Sequence, residues 1–483
     1  MYDSRFLQQR DSGRVTITGR RHRRAGFPPA IFESCNEEER GNSLKEIYPA
    51  VSLASALFGR QRYEKGTEYR LTKHCVRAEC EDGTLFFHTM MGTLLLLEKG
   101  RSLSDQEQAL VEAWFLVPKE HDEMKALRKL RALACAVQPN SRHVTGFTIL
   151  TTTDCNARCF YCYEAGCKRI TMSKQTARDV GAYIARVSGG EQVKIHWFGG
   201  EPLCNPEAMD IICDALSKAG ISFVSSVTTN GYYLTPELTE RAMRDWHVTG
   251  ALIAIDGTKE VYQRTKAYIE RDETAYERVL SNIEHALDAG LMVCARLNVD
   301  EANADDLNVL IDELAERYAG KQGFYVNITP LQEIKGRIHH FATERELAET
   351  IIRLRRKKSG YGIRSLGKLE RKARSNHCMA DVDVYEVLMP DGRICKCEHF
   401  ADEEMIGNIY ANHRDQEKIN AWKKQRAFYP ECTECALAPR CVLLEKCERV
   451  GECCTEHVSL IGVDELKEQM LLAYQDQKME RNA

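Results

Sequence analysis

Three cysteines in the string CNARCFYC, Cys155, Cys159 and Cys162, carry the clearest chemistry in this chain. Thiolates are soft ligands suited to iron or zinc, and CxxxCxxC offers three of them for a four-iron cluster without a fourth. One iron is then left for an exchangeable ligand, whereas a structural zinc closes its coordination with four protein ligands. Cys167 lies close by, but reaching back from behind Gly166 would strain the loop.

A second concentration of thiols follows downstream. Cys378 is separated by thirteen residues from Gly392, and Gly392 by four from Cys397; then come Cys432, two residues, Cys435, five, Cys441, five, Cys447, and finally Cys453 and Cys454. Of the 20 cysteines, nine fall between Cys378 and Cys454. In a large chain without a secretion signal this spacing points to metal binding under reducing conditions, as four-iron clusters or as structural zinc, in place of disulfides.

Elements of alternating type must position these groups. Short β-branched runs start at Phe147, Val193, Ser222, Val248, Leu291 and Gly323, and amphipathic stretches of helical length lie between them (172–187, 206–220, 236–246, 275–290 and 305–318). Pro206 and Pro236 sit where a first helical turn tolerates proline, and Gly220 and Gly290 where a helix stops. Six strands alternating with helices require a parallel sheet with right-handed crossovers. Active sites of such sheets collect at the carboxyl ends of the strands, and the motifs do so here. The cysteine loop follows the first strand and GGEP (Gly199, Gly200, Glu201, Pro202) the second. TTNG with Asn230 ends the third strand, AIDG with Asp256 the fourth, and Arg296 with Asn298 lies on the fifth.

The cysteine spacing, with aromatic Tyr161 before the last thiol, resembles the signature of radical S-adenosylmethionine (SAM) enzymes. In that family the open iron chelates SAM, whose reductive cleavage yields a 5'-deoxyadenosyl radical. The resemblance implies a partial (β/α)6 TIM-like barrel; alternation alone leaves an open doubly wound sheet possible. It also implies that Tyr161, Gly199, Gly200, Glu201, Asn230, Asp256 and Arg296 bind the cofactor, with Glu201 on the SAM ammonium and Arg296 on its carboxylate. The downstream cysteines are similar to the SPASM extension of that family, which houses two auxiliary four-iron clusters. Carried over by position, Cys378, Cys397 and Cys447 hold the first, and Cys432, Cys435, Cys441 and either Cys453 or Cys454 the second. Five residues stand between Cys441 and Cys447 where the family has three; unless Cys395 or Cys454 fills in, the first cluster has an open iron able to bind a substrate thiolate, which motivates a thioether-forming reading.

The N-terminal part suggests the partner. After an arginine-rich tail assigned to a flexible basic segment (1–65), Tyr69 to Leu97 alternates around EDG as a hairpin, and SDQEQALVEAWFLV reads as a helix capped by Ser104. A hairpin followed by a short helix resembles the peptide-recognition modules of enzymes that modify ribosomally made peptides, in which a leader peptide adds as a strand to a sheet edge. The expected architecture is thus α/β: a small α+β domain (66–143), the barrel (144–330), a basic helical connector (331–375) whose RLRRKK forms a solvated face, the cysteine-rich SPASM-like domain (376–462) and a C-terminal helix (463–483).

Composition bounds the partners. The chain has 483 residues, 43% hydrophobic and 29% charged, which is enough for several domains of an ordinary globular protein. A net charge of -4 argues against nucleic acid, and no apolar run approaches a membrane span. A cytoplasmic location is expected. The expected function is a radical SAM maturase of a precursor peptide that forms a thioether, with three four-iron clusters, SAM and an electron donor such as flavodoxin or ferredoxin. The alternative is a sulfatase-maturating enzyme that makes formylglycine, in which family an aspartate stands where Glu398 follows Cys397; Glu398 is then the candidate catalytic carboxylate. A third reading is an electron-transfer scaffold that never cleaves SAM.

Overall fold

The computed structural model describes residues 44–137, 143–331, 341–372, 378–400, 404–411, 413–441, 444–447 and 456–482. The expected barrel is present as six parallel strands, whose flanking elements are numbered with them along the chain below. The N-terminal domain comprises β1 (Leu44–Tyr48), α1 (Ser52–Phe58), β2 (Tyr69–Leu71), β3 (Cys75–Cys80), β4 (Gly83–His88), β5 (Leu94–Glu98), α2 (Glu107–Glu112), β6 (Leu116–Pro118) and α3 (Glu123–Ala136). The barrel follows with β7 (Gly146–Thr152), α4 (Lys174–Val187), β8 (Val193–Gly199), α5 (Pro206–Lys218), β9 (Phe223–Thr229), α6 (Pro236–Asp245), β10 (Val248–Ala254), α7 (Lys259–Lys266), α8 (Ala275–Asp288), β11 (Met292–Val299), α9 (Ala304–Tyr318), β12 (Phe324–Pro330) and α10 (Glu344–Gly360). The cysteine-rich part adds β13 (Tyr385–Leu388), β14 (Arg393–Cys395), β15 (Met405–Asn408), α11 (Gln416–Lys423) and α12 (Glu456–Asn482).

Strands β7 to β12 pair in sequential order and all in parallel. A doubly wound sheet reverses its order at a switch point, so the unbroken order decides for the barrel-like arrangement. Alternation along each strand separates its two faces. Phe147 and Ile149, Ile195 and Trp197, Ala251 and Ile253, Val293 and Ala295 turn toward the helices and form the main core. His196, Phe198, Thr228, Arg296 and Asn298 occupy the other parity and face a cavity. The sheet does not close. Beyond β7 it continues with β13, parallel to β7, and then with antiparallel β14 and β15, so the cysteine-rich segment is built onto the barrel's edge. Glu386 of β13 fastens this junction by accepting from Tyr183 Oη and, at 3.1 Å, from Arg414 Nε.

Several expectations are corrected. Order begins before residue 66: Leu44–Tyr48 pairs antiparallel with β5, because Leu44 and Ile47 have an apolar face to bury there. The helix after the hairpin ends at Glu112; Trp114 has φ +66°, and Leu116–Pro118 turns into a strand paired with β2. A 3-10 turn, Leu103–Gln106, leads into that helix and is capped by Ser102, which accepts from Ser104 N, so Ser104 is not the cap. The basic connector contains α10, the helix after the sixth strand, and only part of RLRRKK is solvated: Arg353 and Arg356 are exposed, whereas Arg355 and Lys358 are buried. Arg355 donates to Ile328 O at 3.0 Å, and fully buried Lys358 pairs with Glu468 of α12 at 2.8 Å. Among the described residues, no helix is long and apolar enough to cross a membrane.

Candidate functional site

Cys155, Cys159 and Cys162 line a cavity of about 230 Å3 at the carboxyl ends of the strands, together with Tyr161, Gly199, Gly200, Asn230, Arg296 and Glu398. The loop is fixed by its own polar groups and by the end of α7. Arg158 Nη1 reaches Cys155 O at 2.5 Å and Ala157 O at 2.7 Å, while Arg158 N donates to Lys266 O at 2.8 Å. Ala267, which ends α7 in the left-handed region at φ +45°, lets the chain turn back so that Ile269 N meets Asn156 O at 2.9 Å.

The two glycines serve loop packing. A Cβ on Gly199 would stand 2.1 Å from Thr152 O, and one on Gly200 2.2 Å from Asp154 O, so only glycine lets this turn lie against the cysteine loop. Glu201 lies beneath the cavity and does not line it. Fully buried, its carboxylate accepts from Thr229 Oγ1 (2.8 Å), Asn230 N (2.7 Å) and Leu203 N (3.0 Å), tying the end of β8 to the end of β9. Burial outweighs these bonds and pushes its pKa up to about 7. Its side chain is thus held by the groups around it. Asp256 is likewise a brace beneath the cavity: Oδ1 accepts from Asn298 N (3.0 Å) and Nδ2 (2.8 Å), and Oδ2 from Tyr161 Oη and Lys266 Nζ. Asn230 remains at the cavity, its Nδ2 2.6 Å from Asn156 Oδ1, and Arg296 Nε donates to Asn298 Oδ1 at 2.9 Å.

Four lining residues escaped the sequence reading: His196, Tyr163, Lys266 and His399. His196 bridges Ser226 Oγ (2.9 Å) and Thr228 Oγ1 (3.1 Å), and burial lowers its pKa to about 3, so it stays neutral. His399 Nε2 stands 3.5 Å from Glu398 Oε1, and its ring meets that of Tyr163 edge-on at 4.4 Å. Period-two alternation along VKIHWFGG could have flagged His196; no local signal marks the other three.

The downstream cysteines gather in two places. Cys378, Cys397 and Cys447 meet around buried Trp422, adjoining Glu398. Cys395 belongs to a separate apolar cluster with Leu150, Val387 and Met389. Cys432 and Cys435 pack against Met90, Met91 and Leu127 of the N-terminal domain, and Cys441 O accepts from Arg131 Nη1 at 3.3 Å. Cys453 and Cys454 lie outside the described residues. None of the described cysteines is in a disulfide, and among the described residues no three Cys, His, Asp or Glu side chains are grouped for a single ion.

The first loop fits an iron-sulfur cluster by the chemistry of its donors. Burial pushes the Cys155 thiol up to about 12 and the Cys162 thiol up to about 11. Buried thiols that resist ionisation become thiolates only when a cation takes the proton's place, as metal ligands do. The same holds for Cys378, pushed up to about 11, and for Cys397, also raised by burial.

A family model described as the Radical SAM superfamily matches residues 149–314. A Probable GTP 3',8-cyclase of Methanocaldococcus jannaschii is 26% identical over 212 residues, covering 40% of this chain and 67% of that protein. The AdoMet-dependent heme synthase of Methanosarcina barkeri is 27% identical over 156 residues, covering 32% of this chain and only 43% of the relative. Among solved structures, native anSMEcpe with bound AdoMet superposes with a TM-score of 0.51 at 16% identity, covering 70% of this chain and 98% of that one. Streptococcus suis SuiB gives 0.49 at 12% identity, over 80% and 96%. The part of the chain that resembles the Radical SAM superfamily, residues 149–314, is thus the part that carries the three-cysteine loop at the carboxyl end of the first of six parallel strands.

Proposed function

We propose that this enzyme matures a ribosomally made precursor peptide by joining a cysteine sulfur to a carbon of the same peptide as a thioether. The observation that carries the reading is the shared cavity: Glu398 and His399, from the cysteine-rich segment, line the same space as the Cys155 loop. Cys155, Cys159 and Cys162 would hold a four-iron cluster, which with SAM would supply one-electron cleavage to a 5'-deoxyadenosyl radical. The chain's own residues do the rest. Asn230 and Arg296 orient the amino acid part of SAM, neutral His196 and Phe198 wall the cavity, and Tyr161 with Lys266 holds the loop. A hydrogen atom leaves the substrate carbon for the deoxyadenosyl group, and the thiol proton passes to Glu398. The second electron returns to a flavodoxin- or ferredoxin-like donor. Cys378, Cys397 and Cys447 are the ligands proposed for a first auxiliary cluster, and Cys432, Cys435 and Cys441 with Cys453 or Cys454 for a second.

A peptide substrate is favoured by the N-terminal sheet, whose end strand β3 presents an unshared edge among the described residues. The fold neighbour anSMEcpe has been solved with AdoMet and the Kp18Cys peptide. The relatives named for GTP cyclisation and heme synthesis align over less than half of this chain and speak to shared SAM chemistry. Glu398 at the cavity keeps formylglycine formation as the second reading, since that oxidation also needs a carboxylate there.

Anaerobic incubation with SAM, dithionite and a cysteine-bearing peptide encoded beside the gene tests both. A product that lacks two hydrogens, keeps its sulfur and resists thiol alkylation is expected. Loss of sulfur with a new aldehyde establishes the second reading, and 5'-deoxyadenosine with an unaltered peptide overturns both.

A further inference from the structure

The N-terminal domain and the loop carrying Cys432, Cys435 and Cys441 share a polar contact that peptide docking does not require. Lys73 pairs with Glu434, Thr89 Oγ1 donates to Ala436 O at 2.6 Å, and Arg131 Nη1 donates to Cys441 O. His74 stands within this contact. It is fully buried, and neither ring nitrogen has a hydrogen-bond partner among the described residues. The ring's one polar neighbour in that loop is the Cys435 backbone, which it meets without ideal hydrogen-bond geometry. Its neighbour His88 differs, because Nδ1 of that ring accepts from Met90 N at 3.3 Å. Buried polar groups in native proteins are satisfied, so a fully buried imidazole with a ring nitrogen left over and Cys435 as its polar neighbour points to a further partner that the cysteine loop carries.

We infer that His74 donates a hydrogen bond to a sulfur of the cluster held by Cys432, Cys435 and Cys441, so that the N-terminal domain forms one wall of that centre and sets its potential. This rests on the reading of that cysteine loop as an auxiliary cluster site. A donor aimed at cluster sulfur stabilises the reduced, more negative state and raises the reduction potential. Arg131 acts in the same direction: 5% exposed, held at the Cys441 carbonyl and over the Phe428 ring, it places a fixed positive charge beside the loop. His74 is thus a positioning residue for an electron-transfer centre, supplied by a domain otherwise assigned to peptide recognition.

Redox titration of the reconstituted full chain, followed by electron paramagnetic resonance, tests this. His74→Phe should keep its iron and move one midpoint to a more negative potential, His74→Gln should recover part of the shift, and the remaining midpoints should stay in place. The centre that moves should be the one lost in Cys432→Ala/Cys435→Ala. Pulsed resonance on wild-type protein with 15N-histidine should show a weak nitrogen coupling at that centre, a measurement independent of how the variants fold. Unmoved midpoints, or no such coupling, overturn the inference; a strong coupling with loss of iron in both His74 variants replaces donation by direct ligation. Full iron content in the double cysteine variant overturns the cluster reading itself.

Discussion

Lys266 Nζ lies 3.2 Å from Asp256 Oδ2, with 2% and 1% of the two side chains exposed, at the end of the helix that holds the cysteine loop. Burial disfavours the lysine's charge, yet Tyr161 and Asp256 outweigh it and raise its pKa well above the ordinary value. Breaking a buried pair by removing one partner costs about 3–5 kcal/mol, because the other charge stays behind. Lys266→Met should therefore lower stability by that order in chemical denaturation, and Lys266→Met/Asp256→Asn should recover part of it. If the single variant is as stable as wild type, the pair does not brace the loop.

Changing Cys155, Cys159 and Cys162 together to alanine should abolish 5'-deoxyadenosine release under dithionite. Iron at the other cysteine groups should remain, since those lie on separate elements around Trp422 and against Met90 and Met91. Wild-type protein should carry about three four-iron clusters. Undiminished nucleoside release from the triple variant would remove the assignment of the SAM site.

The barrel was legible because each strand and helix has its own period: the six strand starts and the five helical stretches all appear, at nearly the positions read from the sequence. The cysteine loop was legible because its ligands lie within one short segment. The hydrogen bonds of Glu201 and Asp256 were not legible, because a motif gives a residue's place on a strand end and not the direction of its side chain. In the fold both turn inward to satisfy backbone and side-chain donors. Lys266 and His399 were invisible because their role comes from contacts 105 residues apart, in the first case, and from a strand added to the barrel's edge, in the second. Removing everything before Val144 would not excise a clean module. The N-terminal sheet shares apolar clusters with α12 and with Cys432, so its deletion would strip both.

Leader binding is better tested in place. Strand β3 is the end strand of its sheet, and beside it runs a groove of about 840 Å3 lined by Arg77, Ala78 and Glu79 together with Arg355, Arg364 and Lys467. Strand addition would place the peptide's backbone on the outward amides of Cys75–Cys80. Hydrogen exchange over that segment should slow when a full-length precursor is added, and should be unchanged by a core peptide lacking its leader. Equal protection by both peptides, or none by either, would leave this edge without a role in recognition.

Glu201 gives the metal-free protein a pH signature whose sign is fixed by the direction of its shift. Burial raises its pKa from 4.5 to about 7, against the opposing hydrogen bonds from Asn230 N, Leu203 N and Thr229 Oγ1. Between those values the folded chain holds a proton that the unfolded chain has released. Unfolding free energy must then fall as pH rises through that window, with the contribution fully present below about pH 4.5 and lost above about pH 7. The displacement corresponds to about 3 kcal/mol for a group this deeply buried. Glu201→Gln keeps an oxygen for Leu203 N and Thr229 Oγ1 but cannot titrate, so its stability profile should be flatter across the same window. Urea denaturation of both proteins at several pH values measures the difference, and parallel profiles would show that the carboxylate is ionised in the folded protein throughout, braced more strongly than its burial opposes.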